Sequence, residues 1–126
     1  MNDIVRAEIV DVCPSPYGYA VFLRADKKVF IIYMDRTRGT ALQAALDGLD
    51  CTVKSVLIYH VDDGTFFTRI TVEMVNELGR KIIEVDGRPS DTFAIAARAG
   101  APIFISERIL STLEDMSEAL KKLKGV

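Results

Sequence analysis

Asp86, Arg88, Ser90 and Asp91 are crowded into one short stretch between an apolar run and a small-residue run. Two carboxylates a turn apart can hold a divalent cation such as Mg²⁺ or Mn²⁺ through oxygen, leaving several waters on the ion. An arginine between them can grip a phosphate with both arms of its guanidinium. Together these groups suit metal-assisted hydrolysis of a phosphodiester. The expected catalytic residues are therefore Asp86, Arg88, Ser90 and Asp91, with Asp86 and Asp91 as the metal ligands. Glu84 shares a strand face with Asp86 by the period of two, and Asp62 or Asp63 stands in a turn, so each could extend an acidic site. The same residue types also serve structure: Ser90 or Asp91 can cap a helix, and Arg88 can pair with Asp86 or cover a carbonyl. Arg36 and Arg38, at the mouth of an earlier helix, are the best phosphate-binding candidates elsewhere, since helix N-termini attract anions.

Other chemistries find little support. The glycines form neither GxGxxG nor a GK[ST] phosphate loop, and HExxH and GxSxG are absent. His60, the one histidine, sits mid-strand and reads as a solvent-facing or partner-facing residue. With Cys13 and Cys51 far apart in sequence there is no zinc constellation. Tyr17, Tyr19, Phe66 and Phe67 could stack on bases, but fit sheet core or edge equally well. A net charge of −2 argues against a surface that holds nucleic acid by bulk charge, though not against a local basic groove. The N-terminus has no apolar leader, and the longest apolar run, 29–34, is far too short to span a membrane. Two isolated thiols without a secretory signal suggest a reducing cytoplasm.

The elements that must position these residues can be read in order. Residues 3–13 alternate as a strand, then slip phase near Val10 and Val12, the sign of a bulge or of burial on both faces. Strands follow at 19–24 and 29–34, joined by turns too short for a parallel crossover, so the three form an antiparallel meander. A helix is expected over 37–46, from Ala41, Leu42, Ala45 and Leu46. Strands at 51–61 and 65–75 flank Asp63-Gly64, a strong hairpin signal; Val53, Leu57, Tyr59 and Val61 are expected on one face. A strand at 80–86 enters the polar corner. There Pro89 opens a helix with Phe93, Ala94, Ala96 and Ala97 as its packing face, and Gly100 closes it. A short strand ends at Ile105, and a terminal helix over 106–124 follows, with Ser106 as cap. Its a/d seam of Ile109, Leu113, Met116, Leu120 and Leu123 packs either on its own sheet or on a second copy. The fold class is α+β: one domain over 1–126, a largely antiparallel or mixed sheet of six to seven strands, and three helices.

The run Ile83-Glu84-Val85-Asp86-Gly87-Arg88-Pro89-Ser90-Asp91, followed by Ala94-Ile95-Ala96 and by Gly100-Ala101-Pro102-Ile103-Phe104-Ile105-Ser106, closely resembles the second half of the bifunctional nuclease domain family. Asp63-Gly64-Thr65-Phe66-Phe67 resembles that family's preceding hairpin. The resemblance is dense over 53–106 and looser over 5–46. It implies a compact α+β domain, a homodimer, and nuclease activity on RNA and DNA centred on Asp86, Arg88, Pro89, Ser90 and Asp91. Two departures stand out. Asp35 and Arg38-Gly39 occupy the entry to the first helix, where the family has a Gly and a Glu-Ala pair. The family's Arg-Pro-Leu-Thr-His-Asp-Leu-Leu segment, with its His and Asp, is missing between Leu46 and Cys51. Two functions are therefore expected to compete: a nuclease, with a divalent metal, and a non-catalytic homo-oligomeric structural or ligand-binding module that keeps the fold.

Overall fold

The computed structural model describes residues 3–16, 18–35, 46 and 51–125. The helix expected over 37–46 (Leu46 aside) and both Arg36 and Arg38 lie outside the described residues.

Alternating apolar residues and tight turns produce six of the strands: β1 (Ile4–Ser15), β2 (Gly18–Ala25), β3 (Lys28–Asp35), β4 (Cys51–Asp62), β5 (Thr65–Asn76) and β6 (Gly79–Gly87). The helix α1 (Pro89–Ala99) then leads to β7 (Ile103–Ser106). The seven strands form one sheet in the order β3-β2-β1-β7-β4-β5-β6. All pairings are antiparallel except β4 with β7, so the sheet is mixed and the fold is α+β. The β4–β5 turn is of the primed kind: Asp63 and Gly64 both have positive φ, 49° and 79°. Gly100 takes the left-handed conformation at the end of α1.

The sheet curls. Phe30 on β3, at one edge, and Phe66 on β5, beside the other, bring their ring centroids to 6.4 Å. The enclosed core takes Val21 and Leu23 from β2, Ile32 from β3, Ile70 and Val72 from β5, Ile105 from β7, and Phe93 and Ala96 from α1. On the outer face of β2 and β3, Phe22 and Val29 pack with Leu120. The middle of β2 and the start of β3 are thus buried on both faces.

Three bulges adjust the phase. The slip in β1 falls between Ile9 and Asp11. β4 carries two more, between Val53 and Ser55 and between Ile58 and His60, leaving Lys54 and Tyr59 without directly opposed partners. They correct the expected face of β4. Val53 and Val61 pack on the core, but between them Val56 and Ile58 are the fully buried residues, not Leu57 and Tyr59. A strict period of two cannot survive an inserted residue. In α1, Thr92, Phe93, Ile95 and Ala96 are buried, while Ala94 and Ala97 are exposed, because the helix presents a wider stripe than its small residues suggested.

The expected terminal helix is broken into α2 (Glu107–Leu110) and α3 (Ser117–Leu123). The edge of β3 breaks it. Lys28 Nζ donates to the carbonyls of Leu110 and Leu113, each at 2.8 Å. The Val29 N–H donates to Asp115 Oδ1 and the Val29 carbonyl accepts from the Met116 N–H at 2.7 Å. Unpaired edge groups of the sheet thereby gain partners that a continuous helix would deny them. Ser106 precedes α2 but its side chain makes no capping bond. Leu120 is buried against its own sheet, which assigns α3 to intramolecular packing.

Candidate functional site

The corner between β6 and α1 is built by backbone and hydroxyls. Arg88 is the N-cap, extended at φ −73° and ψ 149°. Its carbonyl accepts the N–H groups of Asp91 and Thr92, both at 3.0 Å. Pro89 follows, with no N–H to leave unpaired. Beneath the corner, Thr68 Oγ1 donates to the Gly87 carbonyl at 2.6 Å and lies 2.8 Å from Thr92 Oγ1. Thr68 and Thr92 are both buried, so this hydroxyl pair ties β5 to the end of β6 and to the first turn of α1.

The charged side chains divide into two pairs. Asp86 Oδ1 accepts from Arg69 Nε at 2.9 Å, and Glu84 lies 3.9 Å from the same guanidinium. Arg69 faces Asp86 directly across β5–β6, and its Cζ stands 4.3 Å from the centre of the Tyr59 ring. The hydrogen bond to Asp86 holds the Arg69 pKa above its ordinary value. Arg88 Nε contacts Asp91 Oδ2 at 3.4 Å. That arginine is 68% exposed and the carboxylate 14%. Asp91 Oδ1 is buried and has no hydrogen-bond partner among the described residues. Asp91 is therefore not the cap its position suggested: one oxygen is turned to Arg88 and the other to no donor.

A cleft of about 510 Å³ opens beside the corner. Its walls are the end of β3, the start of β5 and the corner itself; Asp86, Arg88 and Ser90 line it, together with Tyr33, Tyr59 and Phe67. Three of the four expected catalytic residues thus share one cavity, and Asp91 supports Arg88 from behind. Asp62 ends β4 and Asp63 opens the turn after it, and neither is in the cleft lining. The two carboxylates expected to hold a metal are each drawn to a different guanidinium. Among the described residues, no group of three or more His, Cys, Asp or Glu side chains is placed to hold an ion. As arranged, Asp86 and Asp91 do not fit a shared cation, which would have to displace an arginine.

Sequence reasoning missed Arg69, Thr68 and Thr92. Arg69 reaches the site only by standing opposite Asp86 across β5–β6, a pairing between residues distant in sequence. The threonines carried no signal, since a threonine on a strand or helix is ordinary.

The family profile of the bifunctional nuclease domain matches residues 34–117. The chain belongs to the bifunctional nuclease domain family. The matched region contains the corner, β4 to β7 and the last two residues of β3, and leaves β1, β2 and the rest of β3, with Tyr33 of the cleft lining, outside it. Two relatives from Mycobacterium tuberculosis, Uncharacterized protein MT1877 (strain CDC 1551 / Oshkosh) and Uncharacterized protein Rv1829 (strain ATCC 25618 / H37Rv), are each 35% identical over 60 residues. The match covers 48% of this chain and 32% of each relative's length, so the chain aligns with about a third of the curated relatives it matches. Among the described residues, no helix of this bifunctional nuclease family member is long and apolar enough to cross a membrane.

Proposed function

We propose that this chain hydrolyses phosphodiester bonds of RNA or DNA in the cleft beside the β6–α1 corner. The observation that carries the reading is Asp91. A buried carboxylate oxygen without a donor costs stability, and a residue kept only for capping would not show one. Its other oxygen steadies Arg88, whose exposed guanidinium can take a phosphate in its fork. Asp86, on the cleft wall, is the candidate to accept a proton from an attacking water. Ser90 lines the same wall. Arg36 and Arg38 are proposed as further phosphate contacts, and Mg²⁺ or Mn²⁺ as an added cofactor is left to the assay, since no step here depends on it. Family membership supports the reaction class.

The test is hydrolysis of RNA and DNA oligonucleotides with Mg²⁺, Mn²⁺ or a chelator, beside an Asp86→Asn/Asp91→Asn protein purified identically. Activity lost in the double variant is the expected result; equal residual activity in both preparations overturns the proposal as contamination.

A second reading has its own observation: Asp86 is already engaged by Arg69 at 2.9 Å. In that reading the corner is a self-satisfied joint in a non-catalytic, homodimeric, cytoplasmic module. No hydrolysis under any condition, with a dimer by light scattering, favours it.

A further inference from the structure

The aromatic side of the cleft is left unused by the hydrolytic reading. Tyr33 on β3 is 73% exposed, and Phe67 on β5 is 39% exposed. The second bulge of β4 falls at Tyr59 and takes that ring out of core phase, beside Phe67, with ring centroids 6.5 Å apart. His60 lies 5.3 Å from the same Phe67 ring. Arg69 stacks on one face of the Tyr59 ring. Bulges of this kind re-aim a side chain next to functional sites.

We propose that Tyr33, Tyr59 and Phe67 form a stacking platform for unpaired nucleobases, so that the cleft takes single-stranded nucleic acid and rejects duplex. The proposal rests on the nuclease reading for its class of ligand. The exposed rings of Tyr33 and Phe67 in the cleft lining, with the half-buried Tyr59 beside Phe67, offer π-faces that any base can cover, and stacking is tolerant of sequence. A base inside a duplex has both faces occupied by its neighbours and cannot reach such a ring. The charges point the same way. Asp35 and Asp86 line the cleft beside Arg88, and the chain carries a net charge of −2, so phosphate contacts are few and hold only a small part of the ligand. Stacking supplies most of the affinity, and with so few phosphate contacts salt weakens it little.

The experiment measures binding by the full chain in chelator, without divalent cations, so that hydrolysis is not required. Probes are a labelled twelve-nucleotide oligo(dT), an oligo(rA) of the same length, and a blunt DNA duplex. The chain has no tryptophan and four tyrosines, two of them in the platform, so tyrosine emission reports on it, with Tyr33→Ala identifying that ring's share. Single strands are expected to bind at least tenfold more tightly than duplex and to quench tyrosine emission. Going from 50 to 200 mM salt should weaken this binding by less than about tenfold. Phe67→Ala should weaken it by about 5- to 150-fold, with Phe67→Tyr restoring it. Tyr33→Ala, on a ring already in solvent, tests the platform with little risk to folding. Equal affinity for duplex, or unchanged binding in both alanine variants with native circular dichroism, overturns the platform. The nuclease reading fails separately: hydrolysis insensitive to Asp86→Asn/Asp91→Asn overturns that reading while strand binding stands.

Discussion

Asp91 sits in the first turn of α1, where a carboxylate normally caps N–H groups and complements the helix dipole. Here it does not cap, and one oxygen is orphaned. Asp91→Ala is therefore expected to change stability by less than about 1 kcal/mol, below the usual cost of losing a cap. If Arg88 grips substrate, the same change lowers kcat/KM by about 100-fold, the loss expected when a binding group is displaced by about 1 Å. Urea unfolding and initial rates on one preparation check both; a large stability loss with intact rates would identify a structural joint. The grouping of Asp86, Arg88 and Ser90 on one wall was legible because they are neighbours in sequence. Arg69 was not, because it meets Asp86 from 17 positions away. Nothing local in the sequence distinguishes an outward strand arginine that pairs with a site carboxylate from one that is merely solvated.

Strands and turns were legible to within a residue or two, since alternation and Asp-Gly chemistry act locally. The phase of β4 was not. Val53, Val56, Leu57, Ile58 and Val61 supply apolar residues to both faces, so the pattern could not reveal two bulges. The terminal segment misled for a different reason: its helical periodicity is real, but the edge of β3 competes for its backbone. Asp115 is the hinge of that competition. Hydrogen bonds from the Ser117 side chain, then from the Val29 and Ser117 N–H groups, hold its pKa below the ordinary carboxylate value. The folded state therefore favours the ionised form. The resulting stability is present above about pH 4, the unfolded value, and is lost as pH falls through the lower folded value. Acid titration should release α3 in that window, seen as accelerated hydrogen exchange at 117–123, and Asp115→Asn should remove this pH dependence.

At the scale of the molecule, two antiparallel three-stranded units, β1–β3 and β4–β6, are joined edge to edge by the four residues of β7. Ile105, fully buried at the centre of that joint, should cost about 2–5 kcal/mol when replaced by Ala. Circular dichroism and tyrosine fluorescence should still report one coincident unfolding transition; two separate transitions would show that the halves stand independently. The position of β7 also bears on synthesis. Both three-stranded units leave the ribosome before the strand that joins them. Until it docks, β1 and β4 each present a bare edge of the kind that pairs with other chains. The exposure of these two edges therefore lasts until Ile103–Ser106 has emerged, and a holding chaperone would act on them in that interval.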